Sequence, residues 1–174
     1  ARIAAACAAE IPENASLFLN IGTTTEAVAR ALMHHRNLLA VTNNMNVATT
    51  LAGNPDCEVI VAGGTLRRSD GGLVGDATIE TVRQFKVDFA VIGASALDLE
   101  GDLLDFDYRE VRVARSLIER ARNVILVADR SKFERAAPVR IASLEEIDGF
   151  VTDAAPPEPI ARLCRGWGTR LIVA

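Results

Sequence analysis

The feature that most constrains the fold of this chain is the alternation of short apolar runs with longer stretches of helical period. The apolar runs are rich in Val, Ile, Leu and Phe, and they are too short and too uniformly apolar to form amphipathic helices. Strands that are buried on both faces have this composition, so the pattern predicts a mostly parallel sheet. The predicted strands lie near Ser16–Ile21, Leu38–Thr42, Glu58–Ala62, Val87–Gly93, Val124–Ala128, Phe150–Thr152 and Arg170–Val173.

Helical stretches between the strands complete an α/β pattern, because right-handed crossovers place helices on both faces of a parallel sheet. We predict a single domain over residues 1–174. Ligands of such sheets bind where loops leave the carboxyl ends of the strands, so the polar residues there are the candidates for function. The predicted helices cover Ile3–Glu10, Thr25–His34, Met45–Ala52, Ala77–Gln84, Tyr108–Ala121 and Pro159–Arg165.

Composition and charge narrow the possible functions. With 49% hydrophobic and 24% charged residues, the chain is neither disordered, collagen-like nor a coiled coil. The formal net charge of -4 gives it no basic surface for nucleic acid, and no uncharged run is apolar enough to span a membrane. Because Cys7, Cys57 and Cys164 are far apart, we predict neither a disulfide framework nor a zinc site, and a reducing cytoplasm fits best.

Two polar turns follow the first two predicted strands. The Gly22–Thr25 turn opens a helix, whose first amide groups and neighbouring hydroxyls can bind an anion such as phosphate; the alternative is a plain helix cap by Thr23 or Thr24. Asn43 and Asn44 follow the second strand, and their amides suit sugar hydroxyls. The alternative for these two residues is an Asx turn and a helix cap.

Two further turns carry cations. Gly63 and Gly64 would let the backbone approach a ligand closely, and the nearby Arg67 would hold a phosphate or carboxylate with two hydrogen bonds. The alternative is a hairpin turn with solvated arginines. After the fifth strand, Asp129 and Lys132 form another polar turn, in which the lysine would reach a bound phosphate or remain an exposed loop residue.

An acidic stretch follows the fourth strand. Its carboxylates would abstract a proton, hold a metal or accept hydrogen bonds from polyol hydroxyls, although solvated loop charges are the alternative for most of them. Their spacing does not match a calcium-binding EF-hand loop, and His34 and His35 are adjacent on a helix, so we predict no metal site. The acidic residues are Asp98, Glu100, Asp102, Asp105, Asp107 and Glu110.

These turns together predict a pocket for a phosphorylated sugar or polyol at one rim of the sheet. The same segments, in this order and spacing, resemble the C-terminal effector domain of the DeoR family of bacterial transcriptional repressors. The resemblance extends from about Ala4 to Asp153. It is carried by the segments IGTTTEAVARAL, VTNNMNVATTL, AGGTLRRSDGGLVGDAT, LLDFDYREVR and ADRSKF.

The resemblance implies a fold related to ribose-5-phosphate isomerase and coenzyme A transferase domains, used here to sense a phosphorylated metabolite without a cofactor. Glycerol-3-phosphate is the first candidate for the effector. In the family a winged helix-turn-helix precedes this domain and binds operator DNA, and the effector causes release. This chain begins at Ala1 without such a module, so we expect operator DNA to be bound only through a separate N-terminal domain. Palindromic operators also imply a homo-oligomer, either a dimer or a tetramer.

The resemblance also implies a set of effector-binding residues. We expect the Thr23–Thr25 turn and Lys132 to hold the phosphate, while Asn43 and either Asp107 or Glu110 bind the hydroxyls. Many relatives carry Asp at the position of Asn20, and a Lys-Arg pair at that of Ala114–Arg115, so this chain lacks one negative and one positive charge there. The full set comprises Gly22, Thr23, Thr24, Thr25, Asn43, Asn44, Gly63, Gly64, Arg67, Gly93, Asp105, Asp107, Glu110, Asp129 and Lys132.

The rival hypothesis is a sugar-phosphate isomerase, because the related fold supports that chemistry and a fold alone does not decide function. Such an enzyme needs a carboxylate base and a donor for the developing enediolate, roles that Glu110 or Asp107 would share with Lys132. The turn Gly93–Asp98 lacks the Asp-Gly-Ala-Asp-Glu run by which the isomerases resemble one another. The sequence therefore favours a sensor over an enzyme.

Overall fold

The computed structural model describes residues 1–174. Seven strands form the main sheet, and every neighbouring pair in it is parallel. In chain order, the strands of the whole domain are β1 (Ser16–Leu19), β2 (Leu38–Thr42), β3 (Cys57–Val61), β4 (Thr65–Leu66), β5 (Leu73–Val74), β6 (Val87–Ile92), β7 (Ala96–Leu97), β8 (Asp102–Asp105), β9 (Ala121–Val127), β10 (Val139–Ser143), β11 (Gly149–Thr152) and β12 (Arg170–Val173).

The strand order in the main sheet is β12-β11-β9-β6-β1-β2-β3, so β1 lies near the centre. The chain moves outward from β1 through β2 to β3 and then returns to the other side of β1 with β6. The helices are α1 (Arg2–Glu10), α2 (Thr23–Ala31), α3 (Met45–Leu51), α4 (Asp76–Arg83), α5 (Tyr108–Glu119) and α6 (Glu158–Trp167).

Apolar residues on both faces of the sheet explain why its strands are uniformly apolar. Successive side chains of a strand point to opposite faces, and in β1 the side chain of Phe18 enters one buried cluster while those of Leu17 and Leu19 enter the other. Helices α1, α2 and α3 cover the face that contains Leu17, and α4, α5 and α6 cover the face that contains Phe18. The predicted α/β fold with a mostly parallel sheet is therefore confirmed.

The structure also contains two small antiparallel sheets, and the sequence predicts only one of them, as the hairpin alternative for the segment that carries Gly63, Gly64 and Arg67. Strands β4 and β5 pair as a hairpin, and β7, β8 and β10 form a three-stranded sheet beside the main one. Strands β4, β5 and β7 have only two residues each, too few to show a periodicity. Strand β8 reads Asp-Leu-Leu-Asp and lies in the stretch whose carboxylates the sequence predicts to be mostly solvated loop charges. The prediction for the start of α2 was also wrong, since this helix begins at Thr23 and not at Thr25.

No helix of the domain combines the length and the apolar character that crossing a membrane requires. The longest helix, α5, has twelve residues and carries charged side chains along its exposed side.

The β4–β5 hairpin depends on one glycine with unusual backbone geometry. Gly64 has a φ of +139°, a conformation that side chains with a Cβ rarely adopt. A Cβ on Gly64 would lie 2.1 Å from Thr78 Oγ1 and 2.6 Å from the carbonyl oxygen of Val74. The adjacent Gly63 has open space around its Cβ position, and its carbonyl oxygen accepts a hydrogen bond from the Thr78 hydroxyl. Gly64 therefore has a structural role that Gly63 does not share.

We expect Gly64→Ala to lower the free energy of unfolding by about 2–4 kcal/mol, because it adds both backbone strain and a steric clash. Gly63→Ala is the matched control, and it should change stability by no more than about 0.5 kcal/mol. Urea denaturation of the two variants measures the difference. Equal stability of the two variants would contradict the structural role assigned to Gly64.

Candidate ligand-binding cleft

A polar cleft opens at the carboxyl end of the sheet, beside β1 and β6. Strand order reverses between these two strands, and ligands of open α/β sheets bind at such a point. The cleft has a volume of about 220 Å³. Of the residues predicted for the site, those that line it are Gly22, Thr23, Thr24, Thr25, Arg67, Gly93, Asp105 and Lys132.

The first turn of α2 forms one wall of the cleft. The residue at the N-cap position is Gly22, and no side chain caps the helix, so the alternative of a cap by Thr23 or Thr24 does not hold. The first amide groups of a helix have no partner within the helix, and the helix dipole adds partial positive charge there. This wall is therefore suited to bind an anion.

Two buried polar side chains in the cleft lack hydrogen-bond partners. Asn20, which directly follows β1, is 3% exposed, and its Oδ1 atom has no partner. Thr25 is fully buried, and its hydroxyl oxygen also has no partner. Because buried polar atoms are nearly always hydrogen-bonded in folded proteins, these two atoms indicate a place for a polar ligand.

Two cations line the cleft. Arg67, on the β4–β5 hairpin, is held by Asp70 at 3.1 Å between Nη2 and Oδ2, and by Asp107 at 3.6 Å between Nη1 and Oδ2. Lys132 lies on a short 3₁₀ helix, Arg130–Glu134, that follows β9. The two residues come from segments far apart in the chain, and the fold brings both to one cleft.

Carboxylates also line the cleft. Asp105 accepts hydrogen bonds from the Ser95 hydroxyl at 2.9 Å and from the Phe106 amide at 2.7 Å. Asp70 accepts one from the Gly72 amide at 3.0 Å. A cleft that combines cations with hydrogen-bond acceptors is suited to a ligand that carries both an anionic group and hydroxyls.

Three of the other predicted residues act as helix caps in the structure. The side chain of Asn44 accepts hydrogen bonds from two amides at the start of α3, which matches the capping alternative for that residue. Asp107 caps α5, and Asp129 caps the 3₁₀ helix. Burial alone would raise the pKa of both aspartates, but hydrogen bonds from backbone or serine groups and nearby cations outweigh it and lower both pKa values. Both carboxylates therefore stay ionised at neutral pH.

Asn43 and Glu110 form a buried pair that does not line the cleft. Asn43 Nδ2 donates to Glu110 Oε2 at 3.2 Å and to the carbonyl oxygen of Leu73 at 3.1 Å. Each of the two paired residues is 1% exposed. Gly63 and Gly64 also lie outside the lining of the cleft, in the hairpin described above.

Several residues that line the cleft are not among those predicted from the sequence. From the sequence, Asn20 is identified only as a difference from relatives, and Ser95 only as part of the Gly93–Asp98 turn. A stricter use of the strand-end rule would have found both, since each lies within three residues of the end of β1 or β6. The complete set of additional lining residues is Asn20, Ile21, Asp70, Ala94, Ser95, Phe106 and Val127.

Asp98, Glu100 and Asp102 come together at the turn between β7 and β8, where their ligand atoms lie within 4.8 Å of one another. Asp98 Oδ1 accepts hydrogen bonds from the amides of the other two residues, at 3.0 and 2.9 Å. These carboxylates lie outside the lining of the cleft, and Asp98 is already used to stabilise its own turn.

Comparison with solved structures identifies other proteins that share this fold. A ribose-5-phosphate isomerase in complex with phospho-erythronic acid has a TM-score of 0.54 and 18% identity, over 76% of this chain and 52% of that one. The beta subunit of eIF2B from Chaetomium thermophilum has a TM-score of 0.59 and 14% identity, over 86% and 47%. The probable sor operon regulator from Shigella flexneri has a TM-score of 0.54 and 11% identity, over 99% and 82%. These similarities establish the fold alone.

Sequence comparison identifies closer relatives. The chain is 49% identical over 162 residues to the glycerol-3-phosphate regulon repressor of Escherichia coli (strain K12), covering 93% of this chain and 64% of that protein. It is 47% identical over 163 residues to the protein of the same name from Haemophilus influenzae, covering 94% and 63%. The chain thus spans less than two thirds of the length of these repressors. Residues 1–154 match the DeoR C terminal sensor domain, and the chain belongs to that family.

Proposed function

We propose that this domain binds a phosphorylated sugar or polyol, with glycerol-3-phosphate as the first candidate, and thereby controls operator binding by the whole protein. The observation that carries the proposal is the composition of the cleft. It joins the uncapped first turn of α2 to two cations, Arg67 and Lys132, and to the unpartnered side chains of Asn20 and Thr25. The similarity to repressors of the glycerol-3-phosphate regulon supports the choice of ligand.

The phosphate would bind at the start of α2. A phosphate monoester carries a charge between about −1.5 and −2 at neutral pH and offers three strong acceptor oxygens. The amides of Thr23–Thr25 would donate to these oxygens, while Lys132 and Arg67 would neutralise the charge. The cleft volume of about 220 Å³ is smaller than the roughly 300–1,000 Å³ of pockets for drug-sized ligands, which favours a short polyol.

The hydroxyls would bind to different residues from those expected from the sequence. Asn43, Asp107 and Glu110 do not line the cleft, whereas Asn20 and Asp105 do. An amide both donates and accepts hydrogen bonds, and a carboxylate accepts them, so these two side chains suit neighbouring hydroxyls of a polyol. We therefore propose Asn20 and Asp105 as the residues that recognise hydroxyls.

Control of operator binding requires the effector to bind one conformation or assembly more tightly than the other, typically by a coupling free energy of about 1–3 kcal/mol. A groove next to the cleft offers a route for this coupling. Thr23 and Thr24 line both the cleft and the groove, and the groove is also lined by Ala1 and Arg2 at the start of α1. A shift of the first turn of α2 on ligand binding would therefore reach α1, which would follow the DNA-binding domain in the whole protein.

The proposal assigns no catalytic activity to the domain, although ribose-5-phosphate isomerase shares its fold. An isomerase needs a carboxylate base beside the reacting carbon. Asp105, the carboxylate that we assign to the ligand hydroxyls, lines the cleft and accepts hydrogen bonds from Ser95 and Phe106. Glu110 does not line the cleft. Operator DNA would be bound through a separate domain, and a dimer or tetramer would match a two-fold symmetric operator.

Calorimetric titration with glycerol-3-phosphate tests the phosphate site. We expect Lys132→Ala to weaken binding about 10- to 100-fold, because it removes a charge-assisted hydrogen bond to the phosphate. Lys86→Ala is the matched control, since Lys86 is the other lysine of the chain and is exposed just before β6. The control should leave the affinity unchanged.

Full affinity of Lys132→Ala, with native circular dichroism for both variants, would remove Lys132 from the site. Titrations with glycerol and with inorganic phosphate measure the affinity for the polyol part and for the phosphate part of the ligand separately. Selective binding of the phosphorylated polyol supports the proposal, and the absence of binding to all of these compounds would reject glycerol-3-phosphate as the effector.

NMR spectra of the domain mixed with ribose-5-phosphate or glycerol-3-phosphate test for catalysis. A sensor should leave both compounds unchanged over hours, because the proposed function includes no proton transfer to or from the carbon atoms of the ligand. Conversion of ribose-5-phosphate to its ketose isomer, abolished by Asp105→Asn or Glu110→Gln, would establish the isomerase alternative.

A further inference from the structure

Glu110 is a buried acidic residue whose hydrogen bonds are incomplete. It lies in the first turn of α5 and is 1% exposed. Its Oε2 atom accepts a hydrogen bond from Asn43, but its Oε1 atom is buried and has no partner. The Oδ1 atom of Asn43 is likewise buried and without a partner. The pair therefore makes one hydrogen bond and leaves one acceptor unpaired on each side.

A single proton would remove this deficit. A carboxylate only accepts hydrogen bonds, so an ionised Glu110 has no hydrogen to offer to the unpartnered Oδ1 atom of Asn43. A protonated carboxyl group accepts from an amide N–H and also donates to the amide oxygen. Such a proton on Glu110 would let the acid and the amide of Asn43 satisfy each other, and it would avoid the large cost of a buried, unpaired charge.

We infer that Glu110 carries a proton in the folded protein and that this neutral acid, paired with Asn43, leaves the Arg67 guanidinium available for the effector. Glu110 is thus a positioning residue that does not contact the ligand. The second part of the inference rests on the proposed function, whereas the first part does not.

The charges that face Glu110 agree with this assignment. Burial raises the pKa of Glu110 well above its ordinary value. The positive charge of Arg67 and the hydrogen bond from Asn43 lower it less, and the negative charges of Asp105 and Asp70 raise it further. The Arg67 guanidinium is thus the positive charge that lies near several carboxylates in this region. A neutral Glu110 does not attract it as an ionised carboxylate would.

Arg67 is the residue through which Glu110 would act. Its Nη1 atom is buried without a hydrogen bond, and the nearest ion-pair contact of that atom, to Asp107, is 3.6 Å long. An ionised Glu110 would attract this group away from the cleft. Asn43, the partner of Glu110, also fixes the base of the hairpin that carries Arg67. Its Nδ2 atom donates to the Leu73 carbonyl oxygen, and its own carbonyl oxygen accepts from the Leu73 amide.

The pH dependence of stability tests the proton without any ligand. Below about pH 4.3 the carboxyl is protonated in both the folded and the unfolded chain, and at higher pH only the unfolded chain ionises. The wild-type protein should therefore become less stable relative to Glu110→Gln as the pH rises. Its folding equilibrium constant, relative to that of Glu110→Gln, should fall by up to tenfold for each pH unit. The loss should stop once the pH passes the pKa of the folded state.

Glu110→Gln is the informative variant because its amide can accept from and donate to Asn43 as the neutral acid would. Glu110→Ala removes both hydrogen bonds, and it should be less stable than Glu110→Gln at every pH. A stability difference between wild type and Glu110→Gln that stays constant from pH 4.5 to 9 would overturn the inference. So would a Glu110→Gln variant that is as unstable as Glu110→Ala.

Titration with glycerol-3-phosphate tests the effect on Arg67. At pH 6.5, Glu110→Gln should bind within about threefold of wild type, and Glu110→Ala should bind at least about tenfold more weakly. The ratio of the Glu110→Gln affinity to the wild-type affinity should not fall between pH 6.5 and 9. The ionisation of the ligand affects both proteins equally, so it cancels in this ratio. A tenfold loss of binding in Glu110→Gln alone would show that the carboxylate is required. If wild-type protein does not bind, the proposed effector is rejected, and the stability comparison still decides the protonation of Glu110.

Discussion

The structure depends on the parallel pairing of β1 with two neighbours that are distant from each other in the chain. Strand β1 pairs with β2, which follows it, and with β6, which comes after the chain has crossed to the other side. The loops that leave β1 and β6 therefore diverge, and a crevice opens between them. The start of α2, the hairpin with Arg67 and the segment with Lys132 all reach this crevice. The cleft is a consequence of strand order, and its chemistry comes from the loops.

The main sheet could be predicted from the sequence because its physical cause is simple. Strands such as β1 and β2, covered by helices on both faces, must be almost wholly apolar, and such runs are visible in a single sequence. The small antiparallel sheets have no such signature. The hairpin of β4 and β5 is held by a few backbone hydrogen bonds and by the geometry of Gly64, and neither produces an apolar pattern.

The candidate site was predictable only in part, because ligand-binding residues and helix caps use the same chemistry. Asn44, Asp107 and Asp129 follow strands or precede helices, as ligand-binding residues do, yet their side chains accept hydrogen bonds from the helix amides that follow them. The Gly22–Thr25 turn has no side-chain cap, a difference that the sequence does not reveal. The burial of Glu110 was also hidden, because it follows a run of acidic residues that reads as a solvated loop. Only tertiary packing determines which of these side chains remain available to a ligand.

The hairpin that carries Arg67 has a further consequence for the dynamics of the domain. Its two strands share two residue pairs and lie outside the main sheet, so their amide hydrogens should exchange with solvent much faster than those of β1. A cation on such a locally unstable element loses conformational freedom when a ligand engages it, and part of the binding free energy is spent on ordering the segment. Effector binding would then make one edge of the cleft more rigid. This change in conformational entropy would not be revealed by a comparison of mean atomic positions.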